Sequence, residues 1–131
     1  MASSYNEHKL KVAHNEKFVT FLIPQKSQFP DWVATGSFYL ALHCVNANAA
    51  KSGIDWQTFP PELSPNQRKK ISKHTKRVIF VRRYFRYLFN DYNRLLTEGM
   101  NARYDPIYQL HVLPTTPDTL FQMAQQFKNI I

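Results

Sequence analysis

The chain has 131 residues, 44% hydrophobic and 20% charged, which suits one folded domain with a single core and excludes disorder over most of its length. Its net charge of +8 is confined to one segment: residues 1–65 sum to zero, residues 66–104 hold eleven Lys/Arg against Asp91 and Glu98, and residues 105–131 are slightly acidic. The lone cysteine, Cys44, excludes an intrachain disulfide, and the longest apolar run, Phe38-Tyr39-Leu40-Ala41-Leu42, is far too short to span a membrane.

A reducing, cytoplasmic setting is therefore expected. The first residues, Met1 to Glu7, have no basic start and no apolar run, so no secretory signal is expected there. A localised cationic segment suits a polyanion such as RNA or DNA. A solvated helix face that keeps the protein soluble is the plainer alternative.

The pattern predicts an all-α fold of about five helices. Prolines are absent from 31–59 and from 66–105, and proline breaks helix interiors, so long helices can run in those gaps. The first helix is expected over about 5–23, with Val12, Val19 and Ile23 on one stripe. Asp31 is expected to cap the second, which runs to about Lys51 before Gly53 stops it. That helix is apolar on most sides and is expected to be central. Residues 52–67 form a longer connection in which Ser64 or Asn66 could cap a short turn.

The third helix is expected over about 68–88, with Val78, Val81, Phe85 and Leu88 at helical spacing. The fourth runs from about Asn90 to Arg103, ended by Pro106. Thr116 or Asp118 starts the fifth, with Leu120, Met123, Phe127 and Ile130 on its face. Short links after the first and third helices imply antiparallel neighbours in a bundle.

Phosphate loops, paired Cys motifs and His-Glu-x-x-His are not visible in the sequence, and no cofactor or metal is expected from it. Four features could carry chemistry. His43 sits on the mostly apolar second helix, one turn after Tyr39, as either a buried His with one hydrogen bond or a functional one. His74 has Lys73, Lys76 and Arg77 as neighbours, and cations should lower its pKa and keep a neutral imidazole available as a base. Arg103, beside Tyr104 and Asp105, shares a stripe with Tyr92, Leu96 and Gly99. It should be partly buried and need a carboxylate, carbonyl or phosphate partner, or serve as a helix-end cation.

The fourth feature is Arg68 followed by His74, with five residues between. A cation plus an imidazole is what attack by a ribose 2′-hydroxyl on a phosphodiester requires. Arg68, Lys69, Lys70, Lys73, Lys76, Arg82, Arg83 and Arg86 are the candidate nucleic-acid contacts. His43, His74, Arg77 and Arg103 are expected to converge in one polar pocket at one end of the bundle.

In order, His14-Asn15-Glu16, Pro30-Asp31-Trp32, Phe38-Tyr39-Leu40-Ala41-Leu42-His43, His74-Thr75-Lys76-Arg77 and Ala102-Arg103-Tyr104-Asp105 resemble the HEPN family. These are helical domains of prokaryotic toxin–antitoxin, defence and nucleotidyltransferase-associated proteins. The resemblance implies a single up-and-down bundle over residues 1–131 that forms a homodimer. It also implies metal-independent RNA cleavage in active members, at an Arg and a His joined across the dimer. This sequence departs from the family pattern. The His after Arg103 is His111, with Pro106 intervening, and the Arg68/His74 pair lies ahead of the helix that usually carries the motif.

Three functions stay open: a metal-independent ribonuclease of a toxin or defence system, a non-catalytic RNA- or nucleotide-binding module, and an interaction domain recruiting an antitoxin or a nucleotidyltransferase.

Overall fold

A computed structural model of the chain describes residues 4–105 and 116–131. The expectations placed on Pro106 and His111, and on the first three residues, lie outside these. The described residues form six α-helices and short 3₁₀ turns, with no strand among them. The all-α bundle expected from the sequence is what the chain forms.

Helix α1 (Tyr5–Leu22) starts at Ser4, whose hydroxyl accepts from Glu7 N while Glu7 reaches back to Ser4 N. This reciprocal cap satisfies two otherwise orphaned donors. Helix α2 (Pro30–Ser52) starts differently from expectation. Pro30 takes the first helical position and Asp31 lies in the first turn, with no side-chain cap at the preceding Phe29. The fixed φ of proline is already helical and its missing N–H costs nothing at that position. Gly53 ends the helix in the left-handed region, φ 70°, as expected.

As expected, Ser64 caps a short turn in the connection: Ser64 and Gln67 form a capping box around α3 (Pro65–Arg68). The third long helix starts later than the expected 68, at Ser72, whose side chain accepts from Thr75 N and opens α4 (Lys73–Tyr84). Each capping serine offers the backbone a local start. At Phe85 the backbone leaves the helical region (φ −137°, ψ 56°), and a single 3₁₀ turn over Arg86–Leu88 leads into α5 (Phe89–Tyr104). Thr116 caps α6 (Pro117–Gln126).

Helix α2 is the centre, packing against α1, α5 and α6. Val33, Ala34, Phe38, Leu40, Ala41, Cys44 and Val45 are fully buried along it. Burial pushes the Cys44 thiol up to about 12. Two close approaches set the packing. A Cβ on Gly36 would stand 2.6 Å from Val19 Cγ2, so α1 is seated directly on the α2 backbone. Gly99 gives α5 the same access to Phe38.

His8, early in α1, meets His43, late in α2, while Val19 meets Gly36. These two helices are therefore antiparallel. Arg82, late in α4, lies over Phe89 at the start of α5, whereas the opposite ends of these helices meet at Phe38. They are antiparallel as well. Polar links tie in the C-terminal segment: Lys26 to Asp118, Lys128 to Glu16 at 2.8 Å, and Asn48 Nδ2 to the Ile130 carbonyl at 2.7 Å. Among the described residues no helix is long and apolar enough to cross a membrane.

Candidate functional site

The antiparallel pairings bring residues from four helices to one end of the bundle. His8 of α1 and His43 of α2 lie Nδ1 to Nδ1 at 3.1 Å. His43 packs on Tyr39 (ring centroids 6.5 Å apart, planes at 28°). Arg103, near the end of α5, places its guanidinium 5.2 Å from the Tyr39 ring and 5.7 Å from the Phe38 ring. His74, in the first turn of α4, packs on the same Phe38 at 5.7 Å. Arg77 Nη1 is 3.4 Å from His74 Nδ1, and Arg77 Nε donates to Asn46 Oδ1 at 3.0 Å. Asn46 stands three residues after His43 on α2. His43, His74, Arg77 and Arg103 share one neighbourhood.

Arg77 is 6% exposed. Beyond Asn46 and His74, its guanidinium lies 4.2 Å from the Trp56 ring centroid and beside the buried Tyr92 hydroxyl. A buried guanidinium needs such partners to offset its lost hydration. Burial pushes Tyr92 up to about 12, with Arg77 opposing the shift.

Arg103 is partly buried, as expected. Its Nη2 lies 2.8 Å from Met100 Sδ, its face covers Phe38, Tyr39 and Tyr104, and its buried Nη1 has no hydrogen-bond partner among the described residues. Tyr104 and Asp105 beside it are exposed.

His8, His43 and His74 are each held toward neutrality. His43 is lowered to about 4, by burial first and then by His8, Lys11 and Arg77. Burial also lowers His8, with Glu7 opposing and Arg77 assisting. Burial is the largest cause at His74 too, followed by Arg77 and Arg103. The direction at His74 matches the sequence expectation, but Lys73 and Lys76 are not among its causes.

Hydrogen-bond logic fixes tautomers. Arg77 can only donate, so His74 Nδ1 accepts and neutral His74 carries its hydrogen on Nε2. In the His8–His43 pair one Nδ1 must donate, and the ring that donates is left with a bare Nε2. The end of the bundle thus holds one bare imidazole Nε2, two Nε2–H groups and two guanidinium groups.

Arg68 is engaged elsewhere. It belongs to α3, apart from α4, and its Nη1 donates to the Leu63 carbonyl. The expected basic face is present: Lys69, Lys70, Lys73, Arg82, Arg83 and Arg86 are exposed, and Arg68 and Lys76 are partly so. Arg83 is paired with Glu62. Among the described residues no three His, Cys, Asp or Glu side chains gather as metal ligands would.

Sequence reasoning missed His8, Asn46 and Trp56 as members of this cluster. Asn46 carried a signal, because it lies on the same helical stripe as Tyr39 and His43. Comparison of the chain with protein-family models, curated proteins and solved structures finds no match.

Proposed function

We propose that this chain is a HEPN-like, RNA-binding helical domain that cleaves RNA without a metal at the His–Arg end of its bundle. The observation that carries the reading is the meeting of His43, His74, Arg77 and Arg103 on one contact network with His8. In this mechanism the basic face draws RNA in and the Arg103 guanidinium takes a phosphate oxygen. His74 Nε2–H donates to a second oxygen. The bare Nε2 of the His8–His43 pair accepts the proton of the ribose 2′-hydroxyl as its oxygen attacks phosphorus. A 2′,3′-cyclic phosphate forms, the bond to the 5′-oxygen breaks, and that oxygen takes up a proton from water. Arg77, buried and fully engaged, positions His74.

A second reading, a non-catalytic RNA- or nucleotide-binding module, is favoured by one observation. His43 is held at about 4, whereas an efficient general base sits near the working pH. The deciding experiment incubates purified protein with RNA in excess chelator, comparing wild type with His74→Ala and Arg103→Ala. Cleavage by wild type alone supports the enzyme. Binding without cleavage supports the module, and equal cleavage by all three identifies a contaminant.

The homodimer belongs to the same reading. Phe21 and Trp32 are 68% and 51% exposed, and exposed rings of that size suit a protein interface. Light scattering that shows only monomer at micromolar concentration would remove this part. The third reading, recruitment of an antitoxin or nucleotidyltransferase, is tested by co-purification with products of neighbouring genes.

A further inference from the structure

The cationic segment has a second chemical character where α4 ends. Arg82-Arg83-Tyr84-Phe85-Arg86-Tyr87 interleaves guanidiniums with aromatic rings. The helix breaks at Phe85, and the turn that follows is pinned from inside by buried Leu88. The residues on either side of the break are left facing outward. Tyr84 is 48% exposed and Tyr87 76% exposed.

This corner is braced from behind. Tyr84 packs against Phe80 at 5.1 Å and Phe59 at 6.0 Å. Arg82 lies over Phe89 at 5.8 Å, and Arg83 over Phe59 at 5.7 Å. Tyr84, Arg82 and Arg83 are thus held in place from behind, and little of their side-chain freedom is lost when a ligand arrives. Arg83 is already paired with Glu62, which leaves exposed Arg82 and Arg86 as the cations flanking the two tyrosines.

We propose that the Arg82–Tyr87 corner binds single-stranded RNA, with Tyr84 and Tyr87 stacking on unpaired bases while Arg82 and Arg86 hold the adjoining phosphates. The inference rests on the RNA reading above and specifies the form of RNA recognised. Positive charge alone would suit any polyanion. Exposed rings set among the cations add a demand that only a ligand carrying both flat apolar faces and negative charge can meet. Unpaired nucleotides have both, whereas the bases of a duplex are stacked on one another and closed to an outside ring. Every base has a π-face, so the surface should tolerate sequence.

The test measures fluorescence anisotropy of a labelled oligoadenosine, alone and annealed to oligouridine, over a salt series with the intact protein. The single strand should bind more tightly than the duplex. Tyr87→Ala should weaken single-strand binding by about tenfold, leave duplex binding unchanged and keep the salt slope of wild type. Tyr87→Phe should restore it, because the ring rather than the hydroxyl stacks. Arg82→Gln with Arg86→Gln should instead reduce the single-strand salt slope, by about 1.4 for two phosphate contacts.

Wild-type single-strand affinity in Tyr87→Ala and in Tyr84→Ala, with the arginine variant weakened, would overturn the stacking inference and leave the RNA reading standing. Failure of wild type to bind either oligonucleotide would overturn both. Displacement of the single strand by polyglutamate as effectively as by unlabelled oligoadenosine would also overturn the inference, making the corner a surface for acidic chains in general.

Discussion

The Cβ that Gly99 lacks would stand 2.9 Å from Phe38 Cβ and 3.1 Å from its Cγ. Phe38 is fully buried, with His74 and Arg103 both packed on its ring. Gly99→Ala should therefore cost about 1–3 kcal/mol by overpacking, against a helix-propensity gain of at most about 1 kcal/mol. Urea unfolding should show a net loss, along with weaker coupling between His74 and Arg103. A more stable variant would mean that α2 and α5 can separate freely. Gly53→Asn is the control, since nothing lies within 4 Å of the added Cβ and asparagine tolerates a positive φ.

Arg77 should be a stability residue before it is anything else. Arg77→Ala removes a buried donor from Asn46, uncovers Trp56 and opens a void. A loss of about 2–4 kcal/mol is expected in denaturant unfolding. Arg77→Lys should recover little, because an ammonium cannot donate from the Nε position and face Trp56 together. Full recovery by lysine would show that only charge matters at this position.

Stability should depend on pH through His43. Its folded pKa, about 4, lies below the ordinary 6.5. Between those values the unfolded chain binds the extra proton and the folded chain does not, so acid favours unfolding. The contribution is fully present above 6.5 and is lost as pH falls toward about 4. Allowing for the solvent that still reaches the ring, it is worth about 1–2 kcal/mol. Thermal unfolding from pH 7 to pH 5 should show a falling midpoint in wild type and a flatter profile in His43→Gln. Parallel profiles would move the effect to another group.

Ser37 is fully buried on α2, and its hydroxyl has no hydrogen-bond partner among the described residues. Ser37→Ala should then be neutral or stabilising by up to about 1 kcal/mol, since it removes an unmet polar group and adds helix propensity. A loss above that size in calorimetry would reveal a partner for the hydroxyl.

Helix type and the central place of α2 were legible because periodicity and proline spacing are local signals. Gly53 and Thr116 were legible as a stop and a start for the same reason. The short turn capped by Ser64 was legible for the same reason, whereas the late start of the third long helix, signalled by Ser72-x-x-Thr75, was masked by an apolar spacing running on to 88. The convergence of His74 with Arg103 followed from two antiparallel helices joined by a short link. His8 could not be found that way. It reaches His43 across 35 positions, and the register of α1 on α2 is set by the fit of Val19 into the space left by Gly36. Trp56 was hidden similarly, because nothing in the connection after α2 announces which buried cation it will cover.

Cys44 gives the molecule a built-in clock for its own opening. The thiol lies on the central helix with no exposed surface, and burial holds its proton on at neutral pH. An alkylating reagent needs both access and a thiolate, and the folded bundle supplies neither. Labelling can proceed only from molecules in which the helices around α2 have come apart, so its rate at low denaturant counts those excursions directly. Because the chain has a single cysteine, each modified molecule records one opening around α2 and no other site adds to the signal.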